Sequence, residues 1–591
     1  MPGAVFLTIR RVKTSWPRFL VVVFGLSAAI NSTLVFLLAL SGWYVQGVLA
    51  ALFTAEFILL IYFHNWKRAD VFPGLDFEFV RGGLKMESIL AVGLLAISLI
   101  HFGDGLGRIF VAHDAVASWN RWAMDLAANR LPVDTYGYPQ LLPALMSLPY
   151  VFMNSGYPVP QFFSYAVCLC FFPATMAACC SLYNSRNRTA AVIVVALVIM
   201  AWARNRDHGN LVGYADFPAM ALGFMSFCAL LWSIDDHDER QQAPASPPGP
   251  SPIFFSLSLG AAAIAAKQSG LLLPLLWVPA WQELVRKKRR SSGFISIAKT
   301  AAFFLAIALP WYLYNHYQIQ AGDALAITSW VTEGIHNGRS LGQRAALAWS
   351  RWPGMFIFAL MAAPGLLIRG NRAISAFGLS STGIWACYYS YDLRNAAMGI
   401  PFIGLSCGLT LQRLYDHRKA FNFESKLSRH KQDLKRHLKT CLAVIVLLLS
   451  SVGIIYSDEI NNNLQRRQQR KALWIGGRPE INRELLAVAK NDKAVIITDS
   501  YMLRHVSPDI AGKIASFDTY LKNEERRAVL ENLLSDMVDR EVYFYFLPDG
   551  TNFFLRPMKD RLIFIERDQL WLYRYVADQT SSNCGEVSWP G

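Results

Sequence analysis

Apolar and polar positions along the chain alternate as long apolar runs separated by short polar ones. A helix needs about 20 apolar residues to cross a bilayer, and fewer when it packs inside a bundle. By that measure the sequence predicts spans at 17–40, 43–63, 84–102, 161–182, 189–203, 214–233, 252–266, 269–283, 296–315, 353–368, 374–391, 396–412 and 440–456. Beyond residue 456 the pattern changes. Asn482 to Lys490 has helical spacing, Ala494 to Asp499 reads as a buried strand, Glu524 to Val538 as an amphipathic helix and Val542 to Leu547 as a second strand. Leu562 to Ile565 and Leu570 to Val576 read as a hairpin. The predicted architecture is a polytopic α-helical membrane domain, 1–456, of about 13 spans, followed by a small α/β soluble domain, 457–591.

Composition agrees. Of 591 residues 53% are hydrophobic and 17% charged, with a mean hydropathy of +0.27, too apolar for an ordinary soluble protein. The net charge of +15 sits largely in short runs between apolar segments, such as Arg286 to Arg290 and the stretch from Arg413 to Lys439. Cytoplasmic Lys and Arg orient membrane proteins in this way, so the charge implies membrane lipids as neighbours and no nucleic acid. With the N-terminus inside, the cytoplasmic loops are 64–83, 183–188, 234–251, 284–295, 369–373 and 413–439. All carry a basic excess except 234–251, an acidic, Pro-rich stretch that reads as a flexible linker. The C-terminus then lies outside, on a multi-pass protein of the inner, or plasma, membrane. The basic start of the chain leads into an apolar run without a small-residue cleavage site, so it reads as a retained first span. Eight of the nine cysteines lie in apolar segments, and none joins a histidine pattern suited to zinc.

The outer segments are 103–160, 204–213, 316–352, short turns at 41–42, 267–268 and 392–395, and the tail. Segment 103–160 is the longest within the membrane-embedded part. After Asp114, residues Val116, Trp119, Ala123 and Leu126 share one helical face, which predicts an amphipathic helix on the outer surface with Trp119 and Trp122 at the headgroups. Leu141 to Met153 is apolar but short and predicts a dip into the interface. Asp114 suits two compatible roles, a helix N-cap and a general base at the lipid boundary.

Asp114 with its aromatic helix, followed by Asn129-Arg130-Leu131-Pro132 and Tyr136-Gly137-Tyr138-Pro139-Gln140-Leu141-Leu142-Pro143, resembles the first outer loop of the GT-C superfamily. These are integral-membrane glycosyltransferases that use polyprenyl-phosphate-linked sugars, among them protein O-mannosyltransferases and the lipid A aminoarabinose transferase. Tyr214-Ala215-Asp216-Phe217-Pro218, the Ala262 to Gly270 stretch with Lys267, and Asp392-Leu393-Arg394-Asn395 before Ile400-Pro401 are similar to later motifs of that superfamily. Two positions depart from its pattern: Ala115 stands where a second acidic residue is common, and Tyr138-Pro139-Gln140 where a Lys or His precedes a Pro-Pro pair. The resemblance implies an inverting transfer of one sugar from a polyprenyl-phosphate-linked donor to a lipid, glycan or protein acceptor on the periplasmic or outer face. An oligosaccharide ligase or polymerase shares this topology. A lipid or polysaccharide transporter is the remaining alternative, though it would carry ionisable residues inside its spans, and here they gather at the outer ends.

Such chemistry needs a carboxylate to take the acceptor's proton, for which Asp114 is the candidate. The lipid-phosphate leaving group needs positive charge, from Arg, Lys or a divalent ion such as Mg or Mn. Candidate cations are Lys267, Arg394, Arg204, Arg206 and Arg121; Lys267 fits either a phosphate contact or snorkelling to the headgroups, and Arg394 has Asp392 beside it. Candidate substrate contacts are Tyr138, the polar cluster Asp207, His208 and Asp216, and Glu333 and His336 in the segment 316–352, whose length suits a mobile lid.

Overall fold

The computed structural model describes residues 2–10, 16–66, 110, 114–132, 135, 137–153, 159–182, 189–203, 212–242, 252–276 without 275, 293–320 and 339–422 without 369, 390 and 391. In the C-terminal part it describes 487–498, 513–516, 534, 537, 539–546, 562–567 and 571–575. The chain divides into two compact units, Met1–Gln412 and Arg413–Gly591. The expected spans at 84–102 and 440–456 lie outside the described residues, as does the expected boundary at 456.

The described residues of the first unit are helical or in turns. They form α1 (Pro2–Arg10), α2 (Trp16–Leu40), α3 (Gln46–Trp66), a π-helical turn (Ala115–Asn120) continued by α4 (Arg121–Ala127), α5 (Leu141–Phe152), α6 (Val159–Ser181), α7 (Thr189–Ala203) and α8 (Asp216–Gln242). There follow α9 (Pro252–Ala266), α10 (Gly293–Gln320), α11 (Leu341–Arg351), α12 (Pro353–Ala362), α13 (Arg372–Ile384) and α14 (Ile400–Asn422). Two helical stretches, Trp16–Leu40 and Pro160–Ser181, are long and apolar enough to cross a bilayer by themselves; shorter apolar helices include Gln46–Tyr62, Ala191–Trp202 and Ile253–Ala266. Large apolar side chains such as Phe57, Ile58, Leu360 and Leu367 stand exposed, while Gln161, Ser164, Thr175 and Ser226 are buried. A bundle facing lipid requires this distribution: apolar groups outward, and polar ones inward where they hydrogen-bond between or along helices.

Three expectations change. The acidic end of the loop at 234–251 is helical as far as Gln242, because nothing in Asp235 to Gln242 breaks a helix; the prolines that do begin at Pro244. Part of 316–352 is helix α11, opened by a capping box in which Ser340 Oγ accepts from the Gln343 amide and the Gln343 side chain accepts from the Ser340 amide. The stretch at 141–153 does not dip into an interface. Its helix α5 is buried in the bundle, with the Tyr44 and Ser147 hydroxyls 2.7 Å apart and Ser164 Oγ donating to the Met146 carbonyl at 2.6 Å.

Several expected outer segments meet at one end of this unit. Asn129, with φ 59°, donates to the Gly42 carbonyl at 2.7 Å and accepts from the Tyr44 amide at 3.2 Å. Tyr314 Oη donates to the Pro132 carbonyl at 3.0 Å, Thr135 Oγ1 to Asn315 Oδ1 at 3.0 Å, and Asn315 Nδ2 to the Tyr138 carbonyl at 2.9 Å. Gln268 Nε2 donates to the Gly137 carbonyl at 2.7 Å, and Trp202 Nε1 to the Leu393 carbonyl at 3.2 Å.

Gly213 sets the entry to α8. Its φ of +91° is a left-handed conformation, and a Cβ there would stand 2.6 Å from Phe110 Cδ1 and 2.8 Å from Ala115 Cβ. Gly213→Ala is expected to destabilise the protein by about 1–3 kcal/mol, seen as a lower unfolding temperature, because strain and overlap act together.

The second unit holds a five-stranded sheet of β1 (Ala494–Thr498), β2 (Ile514–Ser516), β3 (Glu541–Phe546), β4 (Leu562–Arg567) and β5 (Trp571–Tyr575), in the order β2-β1-β3-β5-β4. β1 is parallel to both β2 and β3, with Ile496 opposite Ile514 and Tyr543, and Ile496 and Ile497 are buried, as central parallel strands require. β4 and β5 form the expected antiparallel hairpin. β2 was not legible, since three residues carry no period.

Candidate functional site

Asp114 opens the π-helical turn and makes no capping hydrogen bond, because its own backbone is already helical, φ −65° and ψ −33°. The capping role is therefore not used. Its carboxylate instead meets Arg394, 280 residues away, with Arg394 Nη2 donating to Asp114 Oδ2 at 3.1 Å.

Arg394 is held from several sides. Its backbone amide donates to Asp392 Oδ1 at 2.9 Å and its Nε to Asp392 Oδ2 at 2.6 Å, while Nη2 also pairs with Asp392 Oδ2. The guanidinium carbon lies 3.8 Å from the centroid of the Tyr214 ring, a cation–π stack. Trp385 Nε1 fixes the turn by donating to the Asp392 carbonyl at 2.9 Å. Burial acts to lower the Arg394 pKa, but the hydrogen bonds and charge of Asp392, with Asp216 behind them, raise it overall, so the group stays cationic.

A second pair stands beside the first. Lys267, at the turn between α9 and the 3-10 turn Gln268–Leu272, pairs through Nζ with Asp216 Oδ1; its side chain is 13% exposed and that of Asp216 6%. Lys267 Nζ also lies 5.8 Å from the centroid of the Tyr138 ring. Lys267 is thus engaged inward by a carboxylate and a ring, not extended toward headgroups. Burial holds the Tyr138 phenol above its usual range, and the charges of Asp216, Asp114 and Asp392 push the same way against Arg394, so Tyr138 is a hydrogen-bond donor and not a base. Lys267→Met would remove the charge facing a buried carboxylate. It is expected to cost about 3–5 kcal/mol in thermal unfolding, with much of the loss recovered when Asp216→Asn is added.

The aromatic helix is also placed differently from its expectation. Trp119 and Trp122 are buried, edge to face at 5.0 Å, and pack on Tyr138 with centroids 5.4 and 6.5 Å away. They shape the loop from beneath because Tyr138 and the neighbouring helices cover them. Asp125 pairs with Arg130 at 3.5 Å.

Both departures noted in the sequence have a steric reason. Ala115 is fully buried against the Gly213 turn, where a second carboxylate has no room. Gln140, also fully buried, turns inward and donates from Nε2 to the Tyr138 carbonyl at 2.7 Å, fixing the loop.

The structure therefore gathers Asp114, Arg394, Lys267, Asp216 and Tyr138, which sequence reading named separately, and adds Asp392 and Tyr214 as holders of Arg394. Asp392 had been read only as a local partner; the signal was its spacing of two before an arginine at an outer turn. Arg121 begins α4, seven residues after Asp114, half-buried. Arg204, Arg206, Asp207, His208, Glu333 and His336 lie outside the described residues. Among the described residues no three His, Cys, Asp or Glu side chains come together as a metal-binding group, and each carboxylate of the site faces a protein cation. This donor set does not fit a divalent ion.

No family model matches the chain, and no curated protein matches it. Among solved structures the chain is similar to one described as the crystal structure of ArnT from Cupriavidus metallidurans in the apo state, with 13% identity and a TM-score of 0.49, over 83% of this chain and 99% of that one.

Proposed function

We propose that this protein is a membrane glycosyltransferase that moves one sugar from a polyprenyl-phosphate donor to an acceptor hydroxyl at the outer face of the plasma membrane, with inversion. The observation that supports this most is the meeting of Asp114 and Arg394 at 3.1 Å, beside the Lys267–Asp216 pair. A general base and two cations in one place are what displacement of a lipid phosphate needs. The motifs that carry the sequence resemblance to GT-C enzymes supply these residues.

In this reading Asp114 takes the proton of the acceptor hydroxyl as its oxygen attacks the anomeric carbon. The bond from that carbon to the phosphate oxygen breaks on the opposite side, and a single displacement of this kind inverts the centre. The departing lipid phosphate is already a stable anion, so it needs no acid, only Arg394 and Lys267 to hold its charge. Tyr138, kept protonated, donates to a sugar or phosphate oxygen. The acceptor is a lipid, glycan or protein.

The test is to incubate purified protein with labelled polyprenyl-phosphate monosaccharide and follow release of polyprenyl phosphate. Release supports the reading. Release only from diphosphate-linked oligosaccharide makes the protein a ligase or polymerase, and release from neither favours transport.

A further inference from the structure

Arg394 is gripped unequally by its two acidic partners. Asp392 engages its backbone amide, its Nε and its Nη2, and the Asp392 side chain is only 12% exposed. Trp385 and Trp202 each tie down a carbonyl of the same turn, and Tyr214 stacks on the guanidinium. Asp114, by contrast, meets Arg394 through one described hydrogen bond, at 3.1 Å, and its side chain is 47% exposed.

Charge decides what an incoming phosphate can do here. Among the described residues the cluster holds three carboxylates, Asp114, Asp216 and Asp392, and two cations, Lys267 and Arg394. A further anion therefore gains only by taking a cation from a carboxylate. The Asp216 pair is buried and the Asp392 grip is multiple, so the contact that yields most readily is the half-exposed one, between Asp114 and Arg394.

We propose that the Asp114–Arg394 contact is a latch operated by the donor: the donor phosphate displaces the Asp114 carboxylate from Arg394 Nη2 and thereby releases Asp114 to meet the acceptor hydroxyl. This rests on the glycosyltransferase reading and deepens it, because it makes binding ordered, donor before acceptor. No covalent bond changes in the step. One ion pair is exchanged for another, and the proton moves only in the later displacement.

Binding of a polyprenyl monophosphate to the full-length protein in lipid nanodiscs tests the latch, with wild type, Asp114→Asn and Asp114→Ala compared at equal ionic strength. Both variants are expected to bind about 2- to 5-fold more tightly than wild type, the weight of a half-exposed ion pair. The gain is expected to vanish when Arg394→Gln is added. Unchanged or weaker binding by both variants overturns the latch and leaves the glycosyltransferase reading standing. Tightening in Asp114→Asn alone is amide donation to the phosphate and also overturns it. Failure of wild type to bind polyprenyl monophosphate overturns both. Inorganic phosphate is titrated alongside; tightening with inorganic phosphate but not with the lipid overturns the assignment to a lipid-linked donor.

Discussion

Asp114→Asn is expected to lower sugar transfer by about 10²–10⁴-fold, the usual contribution of a positioned general base, with little change in folding. The structure separates the two effects. A capping aspartate would take helix stability with it when neutralised, but Asp114 makes no capping bond. What the substitution does remove is a half-exposed ion pair to Arg394, and such pairs contribute about 0–1 kcal/mol. The unfolding temperature should therefore stay near that of wild type while turnover collapses. The measurement is transfer from labelled lipid-phosphate sugar beside a thermal melt of the same preparation. Near-wild-type transfer by the variant would remove Asp114 from the role of base.

The residues of this site could be named from sequence, but their pairing could not. Lys267 and Asp216 were each legible, since a charge at the end of an apolar run is costly unless engaged. That they engage each other depends on the packing of α8 against α9, which no local spacing encodes. The same holds for Asp114 and Arg394, 280 residues apart. Trp119 and Trp122 misled for a related reason. Helical periodicity shows which residues share a face, whereas what covers that face is a tertiary fact, and here Tyr138 covers it. Helix α11 is the opposite case: its Ser340-Leu341-Gly342-Gln343 start is a local signal, readable from sequence alone, and it was passed over because the segment had been read as a loop. In the second unit the long strands were legible from runs such as Val542 to Phe546, and the three-residue β2 was not.

Arg394 is the position where fold and chemistry are most closely joined, and a pair of variants should part them. Arg394→Gln takes from Asp392, which is 12% exposed, the cation that faces it, and breaking such a pair costs about 3–5 kcal/mol. It also removes the donor-phosphate clamp, so transfer is expected to fall by about 10²–10³-fold, as when an electrostatic contact to developing charge is deleted. Adding Asp392→Asn should recover much of the unfolding temperature, since the buried charge goes with its partner, and should recover none of the transfer. Arg394→Lys is the sharper variant. It keeps the charge, but an ammonium cannot present a fork to Asp392 and a second face to phosphate, nor lie flat on the Tyr214 ring as a guanidinium does. Its melt should lie between those of wild type and Arg394→Gln, with transfer at least about tenfold below wild type and the loss falling mainly on KM for the donor. Equal transfer by the lysine variant would mean that Arg394 supplies only charge and that the geometry of its turn is irrelevant to the reaction.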